Sequence, residues 1–170
     1  MTIKKSCSIV WFFLMIVTTS YAFQNEPADF RGVKWGTPIS QLKGYRYVST
    51  YLMDSRVKYY KKNRDDMKAL GVTAEKIEYG FARGRFYSYK IDIRGEETIK
   101  IVKDYLIKKY NDPTSNEASE ARDMKSGKTI KSENFYWKGK TAFINFRWDY
   151  TNQEATVSVY SEEIYANELS

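Results

Sequence analysis

The densest run of chemically capable side chains in this sequence is Lys58-Tyr-Tyr-Lys-Lys-Asn-Arg64. Its cations suit phosphate or an acidic glycan, and Tyr59 or Tyr60 offers a ring face for stacking. The same residues have a plainer reading as a solvated strand, with one tyrosine turned inward and one outward. Lys58, Tyr59, Tyr60 and Lys61 are therefore candidate ligand-binding residues. A second set is Phe143, Asn145, Arg147 and Asp149, which strict alternation places on one face of a strand. Phe86, Ser88, Lys90 and Asp92 repeat that pattern earlier in the chain. A sheet face that mixes rings with charges can receive a partner. It can equally be an ordinary wet face with Arg147 paired to a neighbouring acid. Phe143 and Arg147 complete the candidates. Trp35-Gly36 could line a pocket, but reads better as a core anchor followed by a turn.

Catalysis finds less material. The 170 residues contain no histidine and one cysteine, Cys7. Ser-His-Asp and Cys-His sites are excluded, and so are the usual zinc sites. No D-x-D-x-D-G loop offers oxygen ligands to calcium. No metal or cofactor is expected. Paired carboxylates at Asp65-Asp66 or Glu162-Glu163 could act as acid and base. Adjacent strand residues point to opposite faces, however, and a catalytic carboxylate needs a perturbing environment. A carboxylate-based or Ser-Lys hydrolase stays open as the alternative to a binding protein, and no catalytic residue is assigned.

The N-terminus reads as an export signal. Lys4 and Lys5 precede an uncharged apolar run from Ile9 to Val17, followed by Ser20-Tyr21-Ala22 in a small-x-small pattern. This order predicts a cleavable signal peptide over residues 1–22. The apolar core is shorter than the roughly 20 residues of a spanning helix, although an uncleaved anchor is the competing reading. Cys7 lies ahead of the apolar core, which is the wrong side for a lipid-acceptor cysteine. No later stretch is long and apolar enough to span a bilayer. Loss of Lys4 and Lys5 takes the 28 basic residues to 26 against 21 acidic, about +5 net. Such a chain is drawn weakly to anionic surfaces, and its charge alone does not make it a nucleic-acid binder. No disulfide would support it, so packing must.

After a flexible leader at 23–29, a single domain is expected over 30–165. Phe30 to Trp35 reads as a strand, and Pro38 to Lys43 as a short helix stopped by Gly44. Tyr45–Leu52 and Arg56–Lys61 read as strands, with residues 63–71 ambiguous. Lys76–Ala82 and Arg85–Ile93 alternate around an Arg83-Gly84 turn, with Tyr87, Tyr89, Ile91 and Ile93 on the core face. Ile99, Val102, Leu106 and Tyr110 form the apolar stripe of a helix over Glu96–Tyr110. Residues 111–131 read as a long exposed loop. Strands at Glu133–Trp137, Thr141–Asp149 and Glu154–Ser161 close the chain. The fold class is α+β: an antiparallel sheet of about six to eight strands, packed against one long helix, with a short N-terminal helix.

Two segments resemble known sequences. Phe30-Arg-Gly-Val-Lys-Trp-Gly-Thr37 is similar to an opening motif of small, uncharacterised, exported bacterial proteins. Lys76-Ile-Glu-Tyr-Gly-Phe81, Gly84-Arg-Phe86 and the helix end Lys109-Tyr110 resemble their middle. Asn111 stands where such proteins often carry a glycine. The resemblance implies an envelope location and a compact α+β domain, and implies no activity or site residue. Together these features point to a non-enzymatic periplasmic or secreted protein. Its expected partner is an envelope protein or an anionic glycan or lipid surface. Weak nucleic-acid or polyanion binding is a further alternative.

Overall fold

A computed structural model describes residues 23–122 and 127–170. The export signal read over residues 1–22 lies outside the described residues. The chain runs β1 (Asp29–Phe30), β2 (Val33–Lys34), a 3-10 turn (Ile39–Gln41), β3 (Tyr45–Tyr51), β4 (Asp54–Lys62), β5 (Lys68–Ala69), β6 (Val72–Thr73), β7 (Lys76–Ala82) and β8 (Arg85–Arg94). It continues through α1 (Glu96–Tyr110), β9 (Ser115–Arg122), β10 (Thr129–Lys138), β11 (Ala142–Asp149) and β12 (Glu154–Ser161) to α2 (Glu162–Leu169). Eight strands form one sheet in the order β3-β4-β7-β8-β12-β11-β10-β9. Every neighbouring pair is antiparallel. The α+β expectation holds, at the upper end of the expected strand number.

Helix α1 packs on one face of the sheet, beside β8 and β12. Its buried residues are Ile99, Val102, Leu106 and Tyr110, the stripe that period 3.6 dictates. Glu96 and Glu97 sit in its first turn and Lys108 and Lys109 in its last, matching the helix dipole at both ends. Against α1 lie Ile77, Tyr79, Tyr89, Ile91 and Ile93 of the first hairpin, with Trp137, Ile144, Phe146, Val157 and Val159 of the closing strands.

Several expectations are corrected. Residues 111–131 are not one long loop: Ser115–Arg122 is an edge strand paired in unbroken register with β10. All eight of its residues are exposed, which hides it from any reading based on apolar alternation. The first strand is a miniature hairpin of two two-residue strands. The short helix is a three-residue 3-10 turn. Residues 63–71 lead into a second miniature hairpin, β5 with β6. Residues 162–169 form a helix that the sequence reading did not assign, capped by Ser161, whose hydroxyl accepts the Ile164 N–H at 3.3 Å. The structured domain therefore runs past residue 165.

The leader at 23–29 is docked rather than loose. Phe23 is buried edge-on against Tyr110, with ring centroids 5.4 Å apart. Glu26 accepts the backbone N–H groups of Lys140, Thr141 and Ala142 at 2.8, 2.6 and 2.9 Å, and the Thr141 hydroxyl at 2.6 Å. A Cβ on Gly139 would fall 2.4 Å from the Glu26 carboxyl carbon, so the turn between β10 and β11 needs glycine there. Partial burial opposes the Glu26 charge, but these hydrogen bonds outweigh it and hold its pKa below the ordinary 4.5. A lowered folded pKa means that the contribution is complete above the ordinary carboxylate range and drains as pH falls through the folded value. Glu26→Gln is expected to cost about 1–2 kcal/mol at pH 7, since charge-assisted bonds to backbone donors are the stronger kind. Denaturant titrations should show the gap between the two proteins narrowing as pH falls below the ordinary carboxylate range; a gap that does not narrow in acid would contradict this account.

Candidate functional site

On the sheet face opposite α1, the C-terminal helix α2 packs beside β7, β8, β12 and β11. Side chains that alternate away from the core must lie there, and cross-strand register lines them up in rows. One row crosses seven strands. Ser49 faces Tyr59, Tyr59 faces Gly80, and Gly80 faces Ser88. Ser88 faces Tyr160, Tyr160 faces Phe143, and Phe143 faces Lys138. Beside this row run Glu78, Lys90, Ser158, Asn145 and Tyr136. A third row holds Lys76, Asp92, Thr156, Arg147 and Asn134.

The first row is built by an irregularity. The register of β7 on β8 shifts between Gly80 and Phe81. Such a bulge places two consecutive residues of one strand on the same side. Tyr87 therefore joins Ser88 on the outer face, packing with Val57, Tyr59 and Ala82. Phe86 turns into the main core against Phe81 and Trp35, at ring-centroid distances of 5.5 and 5.0 Å. This reverses the expected sides of both: Tyr87 was assigned to the core face and Phe86 to the outer one. Simple alternation cannot anticipate a bulge, because it is set by the partner strand. Trp35 behaves as the expected anchor, and its indole N–H donates to the Pro27 carbonyl at 2.7 Å.

Between these side chains lies a cleft of about 280 Å³, walled by Tyr51, Tyr59, Tyr87, Tyr160 and Tyr165 and floored by Ser88, with Lys90 at its rim. The Ser88 hydroxyl is buried, within reach of the Tyr87 phenol but without a well-formed hydrogen bond. The Asn145 carbonyl oxygen, in the neighbouring row, is the other such atom among the described residues. Buried polar atoms are nearly always well bonded, so a hydroxyl on a cleft floor without a well-formed bond has room for a further partner from a ligand or a water. The Lys90 ammonium lies over the Tyr59 ring, 4.5 Å from its centroid, and 5.8 Å from that of Tyr51. Burial raises the pKa of the Tyr59 and Tyr87 phenols. Burial first, and then the Glu162 charge, pushes that of Tyr160 up to about 12. All three stay protonated at neutral pH, keeping each hydroxyl as both donor and acceptor.

Next to the cleft, Phe143 stacks on Tyr160 at 4.9 Å and meets Tyr136 at 5.8 Å. With Thr114, Ser115 and Lys138, Phe143 and Tyr136 line a wider, shallow depression of about 580 Å³. Rings thus extend continuously from Tyr160 through Phe143 to Tyr136.

The structure divides the sequence candidates. Tyr59 and Phe143 share the aromatic row. Tyr60 points to the other face, where it meets Phe81 at 5.1 Å and Tyr47 at 5.9 Å. Lys58 alternates with Tyr60 and is exposed. Lys61 faces Arg46 near the sheet edge. Arg147 lies on the same face as Phe143, four residues or about 13 Å along β11. The expected ion pair of Arg147 with a neighbouring acid is not formed among the described residues, and its side chain is exposed. The run Lys58–Arg64 is therefore not one site. Sequence reading had placed Ser88 and Lys90 on a common face but not in a cleft, and it missed Tyr51, Tyr160 and Tyr165. The unusual tyrosine content, 15 residues, was the available signal.

The carboxylate pairs have structural duties. Asp65 accepts from Arg31 at 2.7 Å and from the Tyr79 hydroxyl at 2.8 Å. Asp66 accepts the Lys68 N–H at 2.9 Å. Glu162 and Glu163 occupy the first turn of α2, where negative charge suits the helix dipole. No group of His, Cys, Asp and Glu suited to a metal occurs among the described residues. A family model described as an uncharacterised protein matches residues 30–170. No curated protein and no solved structure matches the chain.

Proposed function

Because the chain belongs to this family of uncharacterised proteins, whose description carries no activity, its function has to be read from its own surface. We propose that it is a non-enzymatic exported binding protein that holds an anionic component of the cell envelope, of acidic-glycan type, on its outer sheet face. The observation that carries this reading is the cleft walled by five tyrosines, with the buried Ser88 hydroxyl among them. Tyrosine faces carry negative quadrupoles that meet the weakly positive C–H edges of a sugar ring, while their hydroxyls bond its oxygens. The volume suits one substituted six-membered ring rather than a drug-sized ligand, which needs about 300–1,000 Å³. Lys90, Lys138 and Arg147 make no ion pair among the described residues, which leaves this face three cations for an acidic group.

The test is a photocrosslinker at Phe143 in the protein within its native envelope, with the same group at Ile101 on the exposed side of α1 as control. Adducts with a glycan-bearing envelope component at Phe143 and none at Ile101 are expected. Equal labelling at both positions, or no adduct at Phe143, would overturn the reading. Tyr160→Ala should weaken retention on the captured component about tenfold, the weight of one stacking contact.

A Ser-Lys hydrolase is the second reading, favoured by the presence of Ser88 and Lys90 in one cleft. No hydrogen bond joins Ser88 to Lys90, whose ammonium engages a tyrosine face instead, so the nucleophile lacks its base. A fluorophosphonate probe that labelled Ser88 would favour the hydrolase.

A further inference from the structure

We propose that the hairpin β3–β4 docks the protein on an anionic lipid surface, inserting its tip below the headgroups. It rests on the apolar tip at Leu52 and Met53, which does not line the cleft, although Tyr51 beside the tip does. At the tip, Leu52 is 100% and Met53 is 85% exposed, side by side in sequence. Tyr47, Val48 and Tyr51, on the strand leading to them, are exposed as well. A water-soluble domain that leaves two adjacent large apolar side chains fully in solvent gains nothing by it in water. Burying each in hydrocarbon is favourable.

The tip also stands clear of the sheet. Strand β4 faces β7 only from Val57 to Tyr60, so residues 51–55 project past the last pairing with β7. Asp54 clamps this end by accepting from Arg56, at 3.0 Å and 2.8 Å, and Arg56 also donates to the Leu169 carbonyl at 2.6 Å. The apolar pair is thus presented on a braced ribbon.

The flanks fit the same surface. From Tyr45 to Lys62 the ribbon carries Arg46, Arg56, Lys58, Lys61 and Lys62 against the single acid Asp54. Each Lys or Arg held near an anionic leaflet strengthens binding. Tyr47 and Tyr51, each with an apolar body and a polar hydroxyl, suit the headgroup level alongside the cations. Behind the apolar tip, tyrosines and cations are interleaved along the ribbon: Tyr51, then Lys58 opposite Thr50, then Tyr47, then Arg46 opposite Lys61. A protein groove would suit the apolar tip equally, but it gives no reason for this excess of basic residues behind it.

Among the described residues no helix is long and apolar enough to cross a membrane. The proposal is surface attachment by a strand pair. The probes are vesicles of phosphatidylcholine alone and of phosphatidylcholine with about 30% phosphatidylglycerol, mixed with protein recovered after export from its own cells. Co-sedimentation with the anionic vesicles and not with the neutral ones is expected, weakening as salt screens the charges. Leu52→Asp/Met53→Asp should weaken it at least tenfold. Because both side chains lie in solvent, the doubly substituted protein should keep its unfolding midpoint, which shows that the loss is not misfolding. In a Cys7→Ser background, a nitroxide on Met53→Cys should become accessible to oxygen and shielded from a water-soluble nickel complex on vesicle binding. A nitroxide on Ile101→Cys should not. No binding to anionic vesicles at low salt, binding indifferent to the aspartates, or a tip nitroxide that stays in water would each overturn the proposal. So would a tip shielded only by an envelope protein fraction.

Discussion

Trp137→Ala is expected to cost about 3–5 kcal/mol, the usual range for truncating a fully buried tryptophan. The side chain is wholly buried in β10, opposite Ile144 on β11. Its loss leaves a cavity between sheet and helix that close-packed neighbours can only partly fill. It also removes a tie. The Trp137 indole N–H donates to the Asn111 carbonyl at 2.8 Å, and Asn111 is the residue that ends α1, at φ 65°. The substitution therefore damages packing and frees the turn joining α1 to the edge strand. In a domain of this size, 1 kcal/mol moves the melting temperature by about 2–4 °C, so a fall of about 10 °C is expected. Trp137→Phe keeps most of the ring and loses the donor. It should cost less than the alanine, by the difference between a cavity and one hydrogen bond. Denaturant unfolding of both gives the check. A loss below about 1 kcal/mol for the alanine would mean that the core closes over the gap, contrary to this account.

Gly80→Ala is expected to cost about 1–3 kcal/mol and to spoil the cleft as well. A Cβ at this position would lie 2.0 Å from the Ser88 hydroxyl oxygen and 3.2 Å from ring carbons of both Tyr59 and Tyr87. The first distance is impossible and the other two are tight. Gly80 sits where the bulge brings Tyr87 and Ser88 onto the same face, so its hydrogen is what lets three side chains converge. The clash has a partner that can be removed. Ser88→Ala takes away the oxygen, and the double variant should recover part of the loss. The pair would then show a coupling of at least about 0.5 kcal/mol in a double-mutant cycle. Additive losses would mean that the ring contacts, not Ser88, set the cost. A Gly80→Ala protein as stable as the parent would show that the bulge relaxes, and the close approach would then have no consequence.

These two positions mark what local sequence can reveal. Trp137 lies in a strand read over Glu133–Trp137, although β10 begins at Thr129, inside the expected loop. Ile99, Val102, Leu106 and Tyr110 were legible from the period of a helix packed on one side. Gly80 gave no such signal. Its role depends on β8 lying opposite, and a one-residue shift in that register exchanged the sides of Phe86 and Tyr87. The edge strand Ser115–Arg122 was illegible for another reason. Buried on neither face, it has no periodic pattern, and only its backbone pairing with β10 makes it a strand.

The candidate site was legible by halves. Tyr59 and Phe143 were singled out from their neighbours in sequence, yet they lie on strands 84 residues apart in the chain and meet only as members of one cross-sheet row. Tyr165 was missed because α2, which carries it, has no buried residue and hence no strong apolar stripe, whereas Tyr160 lies on a strand that was read but whose neighbours only the register decides.

By itself the sequence determined the class of the fold and the limits of its chemistry. Local periods of two and 3.6 are imposed by backbone geometry, and the absence of imidazole needs no structure to be known. Tertiary structure alone decided that the leader closes a distant turn through Glu26, that a bulge turns Tyr87 outward, and that tyrosines from five elements surround one buried hydroxyl. Each of these depends on which strands become neighbours and in what register. Those choices are made by contacts between residues far apart in the chain, and no local pattern encodes them.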